Sequence, residues 1–113
     1  MRGFFAARDV LEVETPALST VGASDPALDA MTAQPRDQGA QPYYLHTSPE
    51  FAMKRLLAAG SGDIYQICRV FRDAELGRWH EPEFTLLEWY RVGWDENQLI
   101  GEVESLLISL LEP

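Results

Sequence analysis

The stretch that decides the fold is Arg69-Val-Phe-Arg-Asp-Ala-Glu-Leu-Gly-Arg-Trp-His-Glu-Pro-Glu-Phe-Thr-Leu-Leu-Glu-Trp-Tyr90. Two runs with β-branched and aromatic residues enclose a charged loop that contains glycine, a pattern that predicts two antiparallel strands. Extended outward, the strands are expected to cover Asp63 to Arg72 and Pro82 to Val92. They carry an arginine, aromatic rings and several carboxylates, a combination suited to binding one nucleotide and one amine.

Three side chains of this stretch have separate chemical reasons to act on ATP. Arg72 can bind a phosphate through both arms of its guanidinium and stabilise the charge that develops when a carboxylate attacks the α-phosphate. Phe84 offers a flat face to adenine, and Glu75 can accept a hydrogen bond from an exocyclic amine. Simpler roles stay open, because Arg72 could pair with Glu88 or Glu50 across the sheet and Phe84 could belong to the core.

Length and composition indicate one globular unit. The 113 residues are 46% hydrophobic and 24% charged, which is typical of a globular protein and excludes wholesale disorder. No apolar run approaches the roughly 20 residues of a membrane span, and the N-terminal apolar stretch is too short for a secretory signal, so we expect a cytoplasmic protein. Cys68 is the only cysteine, which excludes an intrachain disulfide and is interpreted as a buried reduced thiol.

The charge is strongly acidic but unevenly distributed. The net charge of −9 and the single lysine argue against a broad electrostatic grip on nucleic acid. Six of the nine basic residues nevertheless fall between Lys54 and Arg91. This concentration predicts a local anion site within an acidic protein.

The segments before the strand pair predict a helix, a strand and a second helix. Arg2 to Asp9 has the pattern of a short helix, and Val10 to Pro16 alternates like a half-exposed strand. In Thr47-Ser-Pro-Glu50 a capping hydroxyl, a proline at the first helical position and an acid in the first turn indicate the start of a helix. Gly60 is expected to end it.

After the strand pair, Asp95 is expected to cap a final helix. The apolar residues of this helix form one stripe that must pack against something; they are Leu99, Ile100, Val103, Leu106, Leu107, Leu110 and Leu111. Its acids, like those near Glu12, are interpreted as a solvated face. The whole pattern predicts an α+β fold, with an antiparallel sheet and flanking helices.

Together these segments resemble the catalytic domain of class II aminoacyl-tRNA synthetases. Residues 2–16 are similar to motif 1, a helix leading into a strand that ends in proline, and residues 69–90 are similar to motif 2. The resemblance implies a single partial catalytic domain over residues 1–113, with a dimer interface at motif 1 and an ATP site at motif 2. Motif 3 is not found in this sequence, so we expect the chain alone to be inactive. Mg²⁺ is expected to accompany ATP in a complete enzyme through ligands outside this chain.

Within this family the details resemble the lysine branch. Ser48 to Glu50 and Pro82 to Tyr90 are similar to the segments that hold ATP and lysine in lysyl-tRNA synthetases. Gln66 to Arg72 and Leu87 to Arg91 are more similar to a truncated paralogous group that attaches (R)-β-lysine to a lysine of elongation factor P.

The resemblance implies a role for each matching residue. Ser48, Glu50 and Tyr90 would contact the amino acid, and Glu88 would receive its distal ammonium. Arg72 would hold the carboxylate and the α-phosphate, which makes it the catalytic residue. The implied ATP contacts are Arg72, Asp73, Glu75, His80, Glu81 and Phe84. This sequence departs from the usual pattern at Ala74, where many relatives carry glutamate, and at Glu81, where many carry asparagine.

Two classes of function stay open on the sequence alone. The first is an ATP-dependent ligase for lysine or β-lysine that acts as a homodimer, with elongation factor P or tRNA-Lys as the acceptor. The second is a non-catalytic α+β module that dimerises and binds nucleotide. The acidic charge balance favours a protein lysine over tRNA as the acceptor.

Overall fold

The computed structural model describes residues 1–22, 28–37, 39–73 and 77–111. In this part of the chain the helices are α1 (Arg2–Ala6), α2 (Glu50–Ala58) and α3 (Glu96–Leu111). The strands are β1 (Leu11–Glu12), β2 (Leu18–Ser19), β3 (Thr32–Ala33), β4 (Tyr43–Leu45), β5 (Ile64–Phe71) and β6 (Glu83–Tyr90). The predicted α+β class is confirmed, and the strands form two three-stranded sheets.

The larger sheet has the strand order β1-β5-β6. Strands β5 and β6 pair antiparallel over their whole length, from Ile64 opposite Tyr90 to Phe71 opposite Glu83, as the sequence predicts. Strand β1, however, runs parallel to β5, so this sheet is mixed rather than wholly antiparallel. Alternation in β1 predicts a strand but carries no information about the direction of its pairing. The smaller sheet, β2-β4-β3, is antiparallel throughout.

The β5–β6 pair separates two environments, because opposed residues of antiparallel strands share a face and successive residues alternate between faces. We call one side the core face; it carries Tyr65, Ile67, Leu87 and Trp89. We call the other side the site face; it carries Gln66, Cys68, Val70, Phe84, Glu88 and Tyr90.

Helices α1 and α3 cover the core face. Phe5 of α1 is fully buried, and its ring stacks on Tyr65 with centroids 4.4 Å apart. Leu106 of α3 belongs to the same cluster, with Trp89 packed against it. Burial of each such side chain stabilises the fold by about 1.5–3 kcal/mol, so this cluster anchors both helices to the sheet.

Helix α2 begins one residue later than the sequence predicts. Pro49 occupies the N-cap position rather than the first helical position, and Ser48 Oγ accepts the Glu50 N–H at 3.3 Å. The predicted end at Gly60 is confirmed: Gly60 has φ of 87°. The Gly60 and Ser61 N–H groups bond to the carbonyls of Leu57 and Leu56, which closes a Schellman motif.

Helix α3 begins as predicted but packs differently. Asp95 Oδ1 accepts the Gln98 N–H at 2.9 Å, and Gln98 Oε1 accepts the Asp95 N–H at 3.0 Å, a reciprocal cap. Of the predicted apolar stripe only Leu106 is buried, while Leu107 and Leu111 are exposed. The other buried residue of this helix is Glu102, so its interpretation as part of a solvated face is wrong.

Within the described ranges, no helix combines the length and the apolar character needed to cross a membrane.

Candidate active site

One end of the site face carries an acid and a phenol in direct contact. Glu88 and Tyr90 lie two residues apart on β6, so both point to the same side. Tyr90 donates its hydroxyl proton to Glu88 Oε1 over 2.6 Å. Both side chains are partly buried, so the pair forms a defined polar surface at the end of the strand. We call Glu50, Glu88 and Tyr90 the amine end of the site.

Helix α2 carries a second acid, Glu50, whose charge acts on Glu88. Burial raises the pKa of Glu88, and the negative charge of Glu50 raises it further, whereas the Tyr90 hydrogen bond and the charges of Lys54 and His46 lower it. Burial, together with the bond to Glu88, raises the pKa of Tyr90. Glu88 is therefore partly desolvated and also feels the charge of an acid from another element, and both effects disfavour its ionised form.

Glu50 is held by its own helix. It forms an ion pair with Lys54, one turn later, and both side chains are about half exposed. Beside the start of α2 lies a cavity of about 510 Å³ that is lined in part by Ser48, Glu50 and Arg55. Glu88 does not line it, so this cavity adjoins the amine end rather than enclosing it.

The other end of the site face carries Arg72 and Phe84, which we call the nucleotide end. The Arg72 guanidinium lies 5.0 Å from the centre of the Phe84 ring, and Arg72 Nε donates to the Thr47 carbonyl at 3.3 Å. A base stacked on this ring and a phosphate bound by this guanidinium would belong to the same nucleotide. Phe84 and Glu88 are four residues apart on one strand, which separates the two ends by about 13 Å.

Three of the remaining predicted ATP contacts, Asp73, His80 and Glu81, lie between β5 and β6. Asp73 directly follows Arg72, is exposed, and donates its backbone N–H to the Asp29 carbonyl at 2.8 Å. His80 closes a turn with Gly77 and is exposed, as is Glu81. Glu75 and the departing position Ala74 lie outside the described residues.

Two residues at the site were not assigned a role from the sequence. His46 hydrogen-bonds through Nε2 to the Arg69 carbonyl at 2.6 Å, and its charge acts on Glu88. Lys54 pairs with Glu50, and only the spacing of four residues on a predicted helix could have indicated that contact. Cys68, interpreted as a buried thiol, is only partly buried on the site face, where burial raises its pKa.

The described residues do not form a cluster of three or more His, Cys, Asp or Glu side chains that could hold a metal ion. Arg72 and Phe84 do fit a nucleotide, since one supplies a planar cation for phosphate and the other a ring for a base.

Comparison with known proteins covers the whole chain. Residues 1–113 match the family described as tRNA synthetases class II (D, K and N). Proteins named elongation factor P--(R)-beta-lysine ligase are similar: the one from Vibrio atlanticus is 51% identical over 99% of this chain and 36% of its own length. The one from Erwinia tasmaniensis is 55% identical over 99% of this chain and 35% of its own length.

The chain therefore spans about a third of the length of these curated relatives. Its match to the family model runs along all 113 residues. The chain belongs to the class II tRNA synthetase family that comprises the D, K and N enzymes.

Proposed function

We propose that this chain supplies the amino-acid site and one wall of the ATP site of a ligase that activates lysine or (R)-β-lysine and transfers it to a lysine of elongation factor P. The observation that carries the proposal is the contact between Glu88 and Tyr90 on the site face, where the charge of Glu50 also acts on Glu88. The names of relatives that are 51% and 55% identical to this chain support it.

The electrostatics of the amine end favour a substrate with two amines. Burial raises the pKa of Glu88 and the charge of Glu50 raises it further, so a cation at Glu88 would stabilise its ionised form. A diamino acid would bring one ammonium to Glu88 and a second to Glu50, which pairs with Lys54 in the free chain, so both carboxylates would have a cationic partner in the complex. Ser48, at the start of α2, and Tyr90 would complete the contacts to the substrate.

The nucleotide end is suited to ATP. When bound, ATP would supply the adenylyl group that activates the substrate carboxylate, with pyrophosphate as the leaving group. The Arg72 guanidinium would bind the substrate carboxylate and the α-phosphate at once and offset the charge that builds up between them. Phe84 would stack on the base, with Asp73, Glu75, His80 and Glu81 along the phosphates. The spacing of about 13 Å along β6 leaves room for a base, a phosphate and an amino acid in line.

The acceptor follows from charge. A chain with a net charge of −9 repels a polyanion such as tRNA-Lys, so a protein lysine is the favoured acceptor. The use of ATP and Mg²⁺ is expected from the family to which the chain belongs. The metal would be held by residues outside this chain.

We further propose that the enzyme is a homodimer that associates through Arg2 to Pro16. Strand β1 lies at the edge of its sheet, and Leu11 is 57% exposed there. An exposed edge strand with an apolar side chain is a natural site of association. Sedimentation should show a dimer at micromolar concentration, and Leu11→Glu should shift it to a monomer.

A chimera tests the function. This chain would replace the matching segment of the Vibrio atlanticus ligase, and lysine-dependent and β-lysine-dependent exchange of pyrophosphate into ATP would be measured. We expect exchange by the chimera, transfer to elongation factor P and none to tRNA-Lys. Arg72→Lys should lower the exchange rate about 100-fold, because a point charge cannot reproduce two parallel hydrogen bonds.

The matched control is Arg36→Lys, which makes the same change outside the site and should leave the rate unchanged. Charging of tRNA-Lys without transfer to elongation factor P would establish a true synthetase instead. A folded chimera without exchange would favour the non-catalytic module.

A further inference from the structure

Glu102 is a buried acid on the side of the sheet opposite to the candidate site. Its side chain is only 3% exposed, although it lies on a helix whose apolar residues are mostly exposed. An ionised carboxylate is costly to bury unless it is paired and hydrogen-bonded. Packing alone does not require an acid here, so the contacts of Glu102 have to account for its position.

Its two shorter contacts go to β6 and to the residue that follows it, and Arg8 Nε lies farther away, 3.9 Å from Glu102 Oε1. Glu102 Oε2 accepts the Trp89 Nε1–H at 3.0 Å, and Glu102 Oε1 lies 3.2 Å from Arg91 Nη2. The Arg91 contact is close enough for an ion pair, but Oε1 makes no aligned hydrogen bond with the described residues. The directional link from Glu102 to the strand is therefore the bond from Trp89.

Trp89 and Arg91 flank Tyr90, and Trp89 separates Tyr90 from Glu88. Their side chains lie on the core-face side of the strand, whereas Glu88 and Tyr90 lie on the site face. Asp63 holds the same segment, because its carboxylate accepts from Arg91 at 2.9 Å and from the Val92 N–H at 2.7 Å. The end of β6 is thus held by contacts on its core-face side, and its site face carries the proposed substrate contacts.

We propose that Glu102 is a positioning residue for the amine end: by holding Trp89 and Arg91 on the far face of β6, it fixes the strand end that presents Glu88 and Tyr90 on the site face. This inference rests on the proposed function for its biological meaning. Its structural content, the dependence of Glu88 on Glu102, does not need a substrate to be measured.

The test is the titration of the Glu88 carboxyl carbon by NMR in the 113-residue chain without ligand. Glu102→Gln keeps the shape and an oxygen for Trp89 but removes the charge beside Arg91. Burial and the charge of Glu50 raise the Glu88 pKa, against the effects of Tyr90, Lys54 and His46. If the strand end loosens, burial and the approach of Glu50 both decrease, so the midpoint should fall by about half a pH unit or more.

Glu104→Gln is the matched control, because it removes the same charge from an exposed position of the same helix. It should leave the Glu88 midpoint unchanged. Trp89→Phe is a second variant, since it removes only the indole donor and keeps the ring in the core; it should move the midpoint in the same direction as Glu102→Gln.

The proposal is overturned if Glu102→Gln or Trp89→Phe folds with the Glu88 titration of the parent chain. In that case Glu102 only attaches α3. Failure of the proposed function would appear separately, as a folded chimera that lacks exchange of pyrophosphate while the titration still responds to Glu102.

Discussion

Two acids lie on opposite sides of the same strand end and are treated differently. Glu102, on the core-face side, accepts from Trp89 and lies beside the positively charged Arg91. Glu88, on the site face, has a phenol for its hydrogen bond and a second acid, Glu50, nearby. Glu102, which links α3 to the strand, has the guanidinium of Arg91 at 3.2 Å. Glu88 has a neutral hydroxyl group as its hydrogen-bond donor. Under the proposed function, this difference is what a substrate ammonium would use to bind at Glu88.

The largest expected effect is the loss of stability when a side chain that packs on the core face is removed. Phe5→Ala removes a fully buried ring that stacks on Tyr65, and it should lower the free energy of unfolding by about 3–5 kcal/mol. Urea denaturation measures the loss. Phe51→Ala is the control, because Phe51 is 49% exposed; equal losses for the two variants would contradict the assignment of the core.

The next effect sharpens the site face. Glu88→Gln in the chimera keeps the shape but removes the charge that meets a partly desolvated ammonium. The preference for lysine over norleucine, measured as the ratio of kcat/KM values, should fall by about 2–4 kcal/mol. Glu83→Gln, an exposed acid at the other end of the same strand, should leave the preference unchanged. An unchanged preference in Glu88→Gln would remove Glu88 from the site.

The smallest effect is a pH dependence of stability. The pKa of Glu88 is raised in the folded chain above its ordinary value of 4.5, so the folded state binds the proton more tightly than the unfolded state. This contribution to stability is complete below pH 4.5 and is lost as the pH rises through the folded value. Measured by urea denaturation from about pH 4 to about pH 7, Glu88→Gln should lack this loss. A parallel pH profile for both proteins would contradict it.

Local sequence signals predicted most of the helices and strands. Contacts between residues far apart in the sequence were not predicted. The pairing of β5 with β6, the Asp95 cap and the Gly60 stop all depend on neighbouring residues. The parallel pairing of β1 with β5 depends on a crossover connection, which residue pattern does not encode.

The candidate site shows the same limit. Glu88, Tyr90, Arg72 and Phe84 share one strand pair, so alternation alone predicts that they share a face. The burial of Glu102 was missed, because an acid on a helix with an apolar stripe gives no sign that a tryptophan and an arginine from another element will meet it. The charge pattern alone predicts that such an acid is exposed to solvent. Its burial depends on tertiary contacts that the pattern does not indicate.

The ion pair between Lys54 and Glu50 means that one acid of the amine end is already paired with a cation of the chain itself. In the absence of substrate, the ammonium of Lys54 already stands against one of the two acids. Under the proposed function, arrival of a diamino acid is then an exchange of one cation for another at Glu50 and a simple addition only at Glu88. Salt weakens the ion pair of Glu50 with Lys54 and its ion pair with the substrate alike, so the two effects offset each other at Glu50. At Glu88 only the new ion pair is weakened, so substrate binding there should depend more strongly on ionic strength.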